Sequence, residues 1–390
     1  MFKDNSQLNP KIKNIFFAAF LLSLHVALTA YVNSSLLSLT LSERSVGLLF
    51  TLGAAVAVIA LLFIPQILRR FGGYNFLIWS VGLNALSLLL LATVENKWII
   101  IPVFIFYETL VYVITFLLDE LLQIFSKNHA MGKIRGLYIA CYSVAWVVAQ
   151  IFSGKVLHDF PFSAIYFISF AIMSIFFLTS FFFLRNLPEP KYDRAPLLGS
   201  LQRYFRNKNL SRAYKINFIL QFFYAFMVIY TPIYLSTHLL FTWSQIGTIF
   251  AIMLTPFVFL PFPLGKYSDI VGERSMLMWG FFIASLATLS LFFITQHSVW
   301  IWALALFCTR LGAATIEIMS DTYFFKHITK EEDEFIGIYR NTAPVAYILA
   351  PLLALAIFAY SPAFNYIYLV LGALMLYGVY IASTIRRADL

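Results

Sequence analysis

Arg310, Glu317 and Asp321 stand inside one largely apolar run, residues 299–326, which ends on Lys326. At 100° per residue a helix would place Glu317 and Asp321 about 20° to either side of Arg310, so all three would share one stripe. A carboxylate in such a place takes up and releases a proton as its surroundings change. A guanidinium keeps its charge and serves either as a ligand for an anion or as an internal counter-ion. Glu317, one turn from Asp321 and two from Arg310, is the first choice for proton handling. Glu108, in the run 98–126, is the second. That run also carries Asp119 on the face of Glu108, with Glu120 turned away from it. His25 lies near the middle of the run 13–37, and its imidazole has the intrinsic pKa for proton transfer. Plainer readings stay open beside these: a permanent Glu108–Arg310 or Glu317–Arg310 ion pair, and a His25 that only packs and hydrogen-bonds.

Charges of this kind demand a reason only where the solvent is lipid. Of the 390 residues 61% are apolar and 12% charged, with a mean hydropathy of +0.83. Soluble chains average about 45–50% apolar and about 25% charged, so this inventory cannot cover a soluble surface, and it is far too apolar for disorder. A bilayer core of roughly 30 Å needs about 20 apolar residues in a helix. Twelve runs meet that length: 13–37, 45–68, 75–94, 98–126, 132–154, 162–184, 213–237, 244–267, 275–295, 299–326, 335–359 and 363–384. They do not alternate as barrel strands must. The fold class expected is all-α and integral to the membrane.

The connections are short except between runs six and seven. There, residues 185–212 hold seven basic side chains, with Leu197, Leu198, Leu201, Tyr204 and Phe205 at helical spacing opposite them. Either a helix lying on the membrane surface or a solvated linker fits that pattern. Of the 27 Lys and Arg residues, 23 fall at the termini, in the linker and in the loops on its side. The other side holds three, Arg44, Lys97 and Lys155, and Arg310 is inside a run. By the positive-inside rule both termini and the linker are cytoplasmic, and the net charge of +9 needs no nucleic-acid partner. No secretory signal is evident, and the first run is expected to be retained. Cys141 and Cys308, both in apolar runs, suit packing rather than a disulfide.

The sequence also repeats. A shift of 200 places Gly47 on Gly247, Phe50 on Phe250, Gly72 on Gly272, Trp79 on Trp279 and Leu86 on Leu286. A shift of 201 places Gly136 on Gly337, Tyr138 on Tyr339, Val144 on Val345, Ala145 on Ala346, Ala149 on Ala350 and Glu120 on Asp321. The organisation expected is a tail at 1–12, a six-helix bundle at 13–184, a cytoplasmic linker at 185–212, a second six-helix bundle at 213–385 and a tail at 386–390. Halves related in this way place a binding site near the midplane between them.

At this level the chain resembles the major facilitator superfamily, over nearly its whole length. The most specific local match is G-K-Y-S-D-I-V-G-E-R, residues 265–274, which is similar to the family's loop signature. By that resemblance Asp269 and Arg274 would latch the cytoplasmic side. The symmetric loop, residues 65–73, departs from the pattern, with Pro65 in place of Gly and Arg69 in place of Asp. A helix 5 signature of proton antiporters has only a degenerate counterpart, A-Q-I-F-S-G at 149–154. Because helices 1, 4, 7 and 10 line the central cavity in this family, the resemblance implies cavity positions for His25, Glu108, Arg310 and Glu317. In run seven Gln221 and Tyr224 join them, while Tyr234 suits the interfacial belt. Asp119, Glu120 and Asp321, near the ends beside Arg69, Arg70 and Arg274, imply either an inner gate or fixed pairs that hold helix ends together.

The function expected is secondary transport by alternating access: proton-coupled efflux of a small amphipathic solute or drug. The alternative is uptake of a small, anionic nutrient, motivated by Arg310. A transport-inactive sensor stands lower, as does an intramembrane enzyme, for which no clustered nucleophile or metal-ligand spacing is present. No phosphate-cradling glycine loop occurs, so no nucleotide or other cofactor is expected and the proton gradient is the energy source. The expected partners are the substrate and the lipid of the cytoplasmic membrane, around a monomer.

Overall fold

A computed structural model of the chain describes residues 10–126, 131–185, 197–260, 264, 271–328, 334–361 and 363–385. Among the described residues the regular structure is helical throughout. The first six helices are α1 (Pro10–Ser38), α2 (Glu43–Phe71), α3 (Gly73–Thr93), α4 (Lys97–Ser126), α5 (Met131–Asp159) and α6 (Phe162–Phe183). A short α7 (Leu197–Arg206) precedes α8 (Lys208–Ile233), which runs on into one π-helical turn, Tyr234–His238. Then follow α9 (Trp243–Leu254), α10 (Pro256–Phe259), α11 (Glu273–Leu291), α12 (Val299–Lys326), α13 (Glu334–Arg340), α14 (Thr342–Tyr360) and α15 (Tyr366–Ser383). Ten described helical stretches are long and apolar enough to cross a membrane, and Trp243–Phe259 is a shorter apolar one. The chain is a multi-pass membrane protein of all-α fold.

The repeat seen in the sequence recurs in the packing. Trp79 and Trp279 are 69% and 61% exposed, Leu86 and Leu286 49% and 51%, as side chains that face lipid should be. Phe50 and Phe250 are buried, and so are Ala145 with Ala346 and Ala149 with Ala350. At these five pairs a fixed offset in sequence corresponds to a like exposure.

The chain forms two compact units, one of residues 1–30 and 56–193, the other of residues 31–55 and 194–390. In the first, α3 packs on α4 and α6, and the Tyr74 hydroxyl donates to the Phe181 carbonyl at 3.0 Å. In the second, α8 packs against α12, α14 and α15, and α11 lies between α12 and α15. Small residues set the α11–α12 approach. A Cβ added to Gly312 would collide with the Gly280 carbonyl and lie 2.6 Å from the Ala284 nitrogen. That close crossing holds the backbone that carries Arg310 and Glu317.

Residues 31–55, the end of α1 and the start of α2, belong with the second unit rather than with the rest of their helices. A Cβ on Gly47 would meet the Tyr230 hydroxyl at 2.5 Å and Pro351 at 3.2 Å. Arg44 donates to the Phe358 carbonyl at 3.1 Å and Thr51 to the Ile348 carbonyl at 3.2 Å. His238, on the π-helical turn, meets Glu43 at 2.9 Å. Pro232 lies inside α8, which continues one residue beyond it before the wider turn begins.

The linker's amphipathic stretch does form a helix, α7. Its Tyr204 is fully buried against Tyr214, Phe324 and Phe335, so at this residue the apolar face docks on protein rather than lipid. Burial pushes the Tyr204 phenol above its ordinary pKa, with Tyr214 adding to the effect. Asn207 then caps α8, its side chain accepting from the Asn209 and Leu210 amides. The linker stretch 186–196 and the tail 386–390 lie outside the described residues.

Candidate functional site

Two helices of the second unit bring most of the polar chemistry together. Polar residues recur along α8 at Asn217, Gln221 and Tyr224, a spacing that keeps them on one face. The facing stripe on α12 is Arg310, Glu317 and Asp321. The Tyr224 hydroxyl donates to Glu317 Oε2 at 2.7 Å, in the short range of a bond to a carboxylate. Gln221 donates to Asn217 at 3.5 Å, and Asn217 to the Thr342 hydroxyl at 2.7 Å. Tyr224, Gln221 and Glu317 are half-buried.

Arg310 is 1% exposed, two turns from the nearest charged residue of its own helix, Glu317. Its guanidinium carbon lies 5.1 Å from the Phe223 ring and 5.2 Å from the Tyr224 ring. One terminal nitrogen, Nη2, reaches the Tyr31 hydroxyl at 3.4 Å. Nε and Nη1 have no hydrogen-bond partner among the described residues, and no described carboxylate forms an ion pair with the group. Of the alternatives the sequence left open, a Glu317–Arg310 bridge is not what this arrangement holds: Tyr224 stands between the two charges, bonded to one and stacked beside the other.

Asp321 is engaged one turn further on. It accepts from the Tyr339 hydroxyl at 2.9 Å and from Arg340 at 3.4 Å. Since Tyr339 gives its proton to Asp321, it accepts from Ser320, 2.8 Å away. Asp321 therefore pairs with the α13 residues Tyr339 and Arg340 rather than with Arg274. The loop signature contributes through a neighbour of Arg274: Glu273 is buried and ion-paired with Lys326 at the end of α12. Arg274 itself is half-buried, with no ion pair among the described residues. Arg69 and Arg70 are exposed, the latter 5.6 Å from the Phe71 ring. Asp269 lies outside the described residues. So do the side chains of Asp119 and Glu120, although their backbone is part of α4.

In the first unit His25 is fully buried. Its Nδ1 lies 3.1 Å from the Leu22 carbonyl, which makes that nitrogen the donor, and Nε2 faces no partner among the described residues. The ring stands edge-on to Tyr107 at 5.9 Å, and Tyr107 shares a hydrogen bond of 2.7 Å with Thr29. Glu108 follows Tyr107 on α4 and is half-buried. Gln150, in the degenerate helix 5 signature, donates to the Ala27 carbonyl at 2.8 Å and so ties α5 to α1.

Tyr31, Phe223, Glu273, Lys326, Tyr339 and Arg340 were not singled out as site residues from the sequence. Tyr31 is the one tyrosine in its apolar run, a signal in itself. Tyr339 was visible as the repeat partner of Tyr138. For Phe223, one of 42 phenylalanines, no sequence signal exists.

The sequence profile of the Major Facilitator Superfamily matches residues 216–389, and that of the MFS_1 like family matches residues 5–142. No characterised protein matches significantly in sequence. Among solved structures the chain is similar to a variant of the nucleoside transporter NupG, with a TM-score of 0.75 and 12% identity over 95% of this chain and 98% of that one. It is also similar to the human organic anion transporter MFSD10, with a TM-score of 0.68 and 14% identity over 96% and 100% of the two chains. At such identities the likeness concerns the fold.

Proposed function

The chain belongs to the major facilitator superfamily and is a membrane transporter; from that premise we propose that it works by alternating access as a proton-coupled efflux carrier for a small amphipathic solute. The observation that carries this reading is the Tyr224–Glu317 hydrogen bond beside an Arg310 that pairs with no carboxylate among the described residues. A fixed Glu317–Arg310 bridge would lock Glu317 in its ionised form. A phenol, by contrast, bonds to the ionised carboxylate and tolerates the protonated one, because its hydroxyl can also accept. An ionised side chain inside a bilayer costs about 2.5–3.5 kcal/mol on insertion scales, so taking up a proton removes a real penalty. Glu317 can therefore carry one proton per cycle, with Glu108 and His25 as further intramembrane groups.

The aromatic surroundings of the site, Phe223, Tyr224 and Phe257, suit an amphipathic solute with an apolar body. Efflux is supported by the small residues kept in the helix 5 signature, Ala149, Ser153 and Gly154, all buried. Uptake of an anionic solute is the second reading, favoured by an Arg310 without an ion pair among the described residues. The proton gradient supplies the energy without a cofactor, and the carrier acts as a monomer. The excess of 23 basic residues against three favours a cytoplasmic-membrane protein with both termini and the linker in the cytoplasm. Asp269 and Arg274 would contribute to an inner latch, as would Arg69, Arg70, Asp119 and Glu120.

The test is transport in proteoliposomes under an imposed pH gradient. Glu317→Gln should abolish uphill accumulation and leave solute exchange measurable. Uphill transport with the wild-type pH dependence in that variant would overturn the reading.

A further inference from the structure

Arg310 is a buried charge that no carboxylate among the described residues pairs with directly. A guanidinium has five N–H donors, and the three on Nε and Nη1 meet no partner among the described residues. Its one hydrogen bond among the described residues, to Tyr31, is long at 3.4 Å. The nearest acidic groups on its helix are already engaged, Glu317 by Tyr224 and Asp321 by Tyr339 and Arg340. The rings of Phe223 and Tyr224, at 5.1 and 5.2 Å, fix the guanidinium's position by cation–π attraction without engaging the N–H groups on Nε and Nη1. A buried cation held in place, donors unfilled, is a receptor for an anion from outside the protein.

We propose that Arg310 is the anion-binding group of a substrate site, and that the solute it takes is a small monoanionic carboxylate. The inference rests on the transporter reading above and names its solute class; it does not depend on the direction of transport. One charge is the number this site can neutralise. The next ionisable group along the stripe is the Glu317 carboxylate, so a dianion would leave one charge unmatched and facing another. Carboxylate geometry fits because its two oxygens can each accept from the planar guanidinium. The flanking Phe223 and Tyr224 rings favour a carboxylate attached to a flat, apolar body.

The experiment uses the purified full chain in detergent at neutral pH, with benzoate as probe and neutral benzamide as its near-isostere. Unfolding midpoints are recorded against the concentration of each, and against inorganic phosphate. Benzoate should raise the midpoint in a saturable way, while benzamide and phosphate leave it unchanged. Arg310→Lys should weaken benzoate by roughly tenfold or more, the scale of one lost charge-assisted hydrogen bond. Arg310→Met should remove the response and, because the guanidinium makes no ion pair among the described residues, raise the midpoint of the unliganded protein. An equal response to benzamide, a response to phosphate matching that to benzoate, or an unchanged benzoate response in both variants would overturn the proposal. So would a lowered unliganded midpoint in Arg310→Met, which would mean that the resting charge is already compensated. Binding needs no proton gradient. A failed Glu317→Gln test would therefore remove the coupling assignment and leave this site standing, and a failed benzoate test would do the reverse.

Discussion

Gly72 and Gly272, two hundred positions apart, hold the same backbone conformation, φ 76° and ψ 148° in one and φ 80° and ψ 147° in the other. Each stands immediately before a helix, α3 and α11 respectively. That region of backbone space is closed to residues with a Cβ, at a cost of about 1–3 kcal/mol. Gly272→Ala should therefore lower stability by that amount in thermal unfolding of the purified protein. Gly337→Ala is the control: no atom lies within 4 Å of its added Cβ, and the helix gains up to about 1 kcal/mol from losing a glycine. Equal effects at the two positions would mean that the turn before α11 is not conformationally demanding.

The end of α1 and the start of α2 depend on shape more than on charge. The Glu43–His238 pair is about one-third exposed on each side, so removing it by His238→Ala should cost less than about 1 kcal/mol. Gly47, with the Tyr230 hydroxyl 2.5 Å from its absent Cβ, has no room for a side chain. Gly47→Leu should cost about 1–3 kcal/mol and reduce transport, because residues 31–55 can no longer pack on α8 and α14 as they do. Measuring melting and transport for both variants separates the two effects; a larger loss in His238→Ala would reverse the ranking.

At the linker end the structural ion pair is Glu273–Lys326. Glu273 is 2% exposed, and Lys326→Met would leave its carboxylate buried and unpaired. Removing one partner of a fully buried pair costs about 3–5 kcal/mol, and the half-exposed lysine brings the expectation down to about 1–3 kcal/mol. Adding Glu273→Gln to Lys326→Met should recover most of it. Arg274→Glu, lacking a described ion-pair partner to break, should leave stability within about 0.5 kcal/mol and act on conformation instead. Cysteine accessibility on the linker side is the readout. Unchanged labelling in Arg274→Glu would make the loop a connector only.

These pairings mark where the sequence stopped being informative. Apolar length pointed to helices that cross a membrane, and a glycine and tryptophan repeat pointed to two copies, because each depends on local chemistry or on self-similarity. Arg310, Glu317 and Asp321 shared a stripe by spacing alone. What they touch was not readable, since Tyr224, Tyr31 and Tyr339 reach them from other helices, and a tyrosine in a membrane chain is as often an interfacial anchor as a ligand. Glu273 and Lys326 lie 53 residues apart with no pattern to join them. Asp321 was expected beside Arg274 because both lie at the same depth. Depth fixes the level of a charge, however, and only the lateral packing of α13 decided that Arg340 and Tyr339 would take it.

The sharpest remaining test separates the hydrogen bond at Glu317 from its proton. Tyr224→Phe keeps the ring 5.2 Å from Arg310 and deletes the hydroxyl that donates to Glu317. Glu317→Gln does the opposite, keeping an acceptor oxygen for Tyr224 and deleting the titration. If the carboxylate's protonation is the coupling step and Tyr224 only positions it, the two variants must behave differently. Tyr224→Phe should retain uphill, pH-driven transport at a rate lower by roughly tenfold, matching a loss of about 1.4 kcal/mol for one charge-assisted hydrogen bond. Glu317→Gln should lose uphill transport altogether while exchange down a gradient persists. Proteoliposome accumulation and exchange, measured side by side across pH, give both quantities. Coupling preserved in Glu317→Gln would move the proton site to Glu108 first and His25 next. Coupling lost in Tyr224→Phe as well would make the phenol a member of the proton path, because a positioning group alone cannot remove a titration it does not perform.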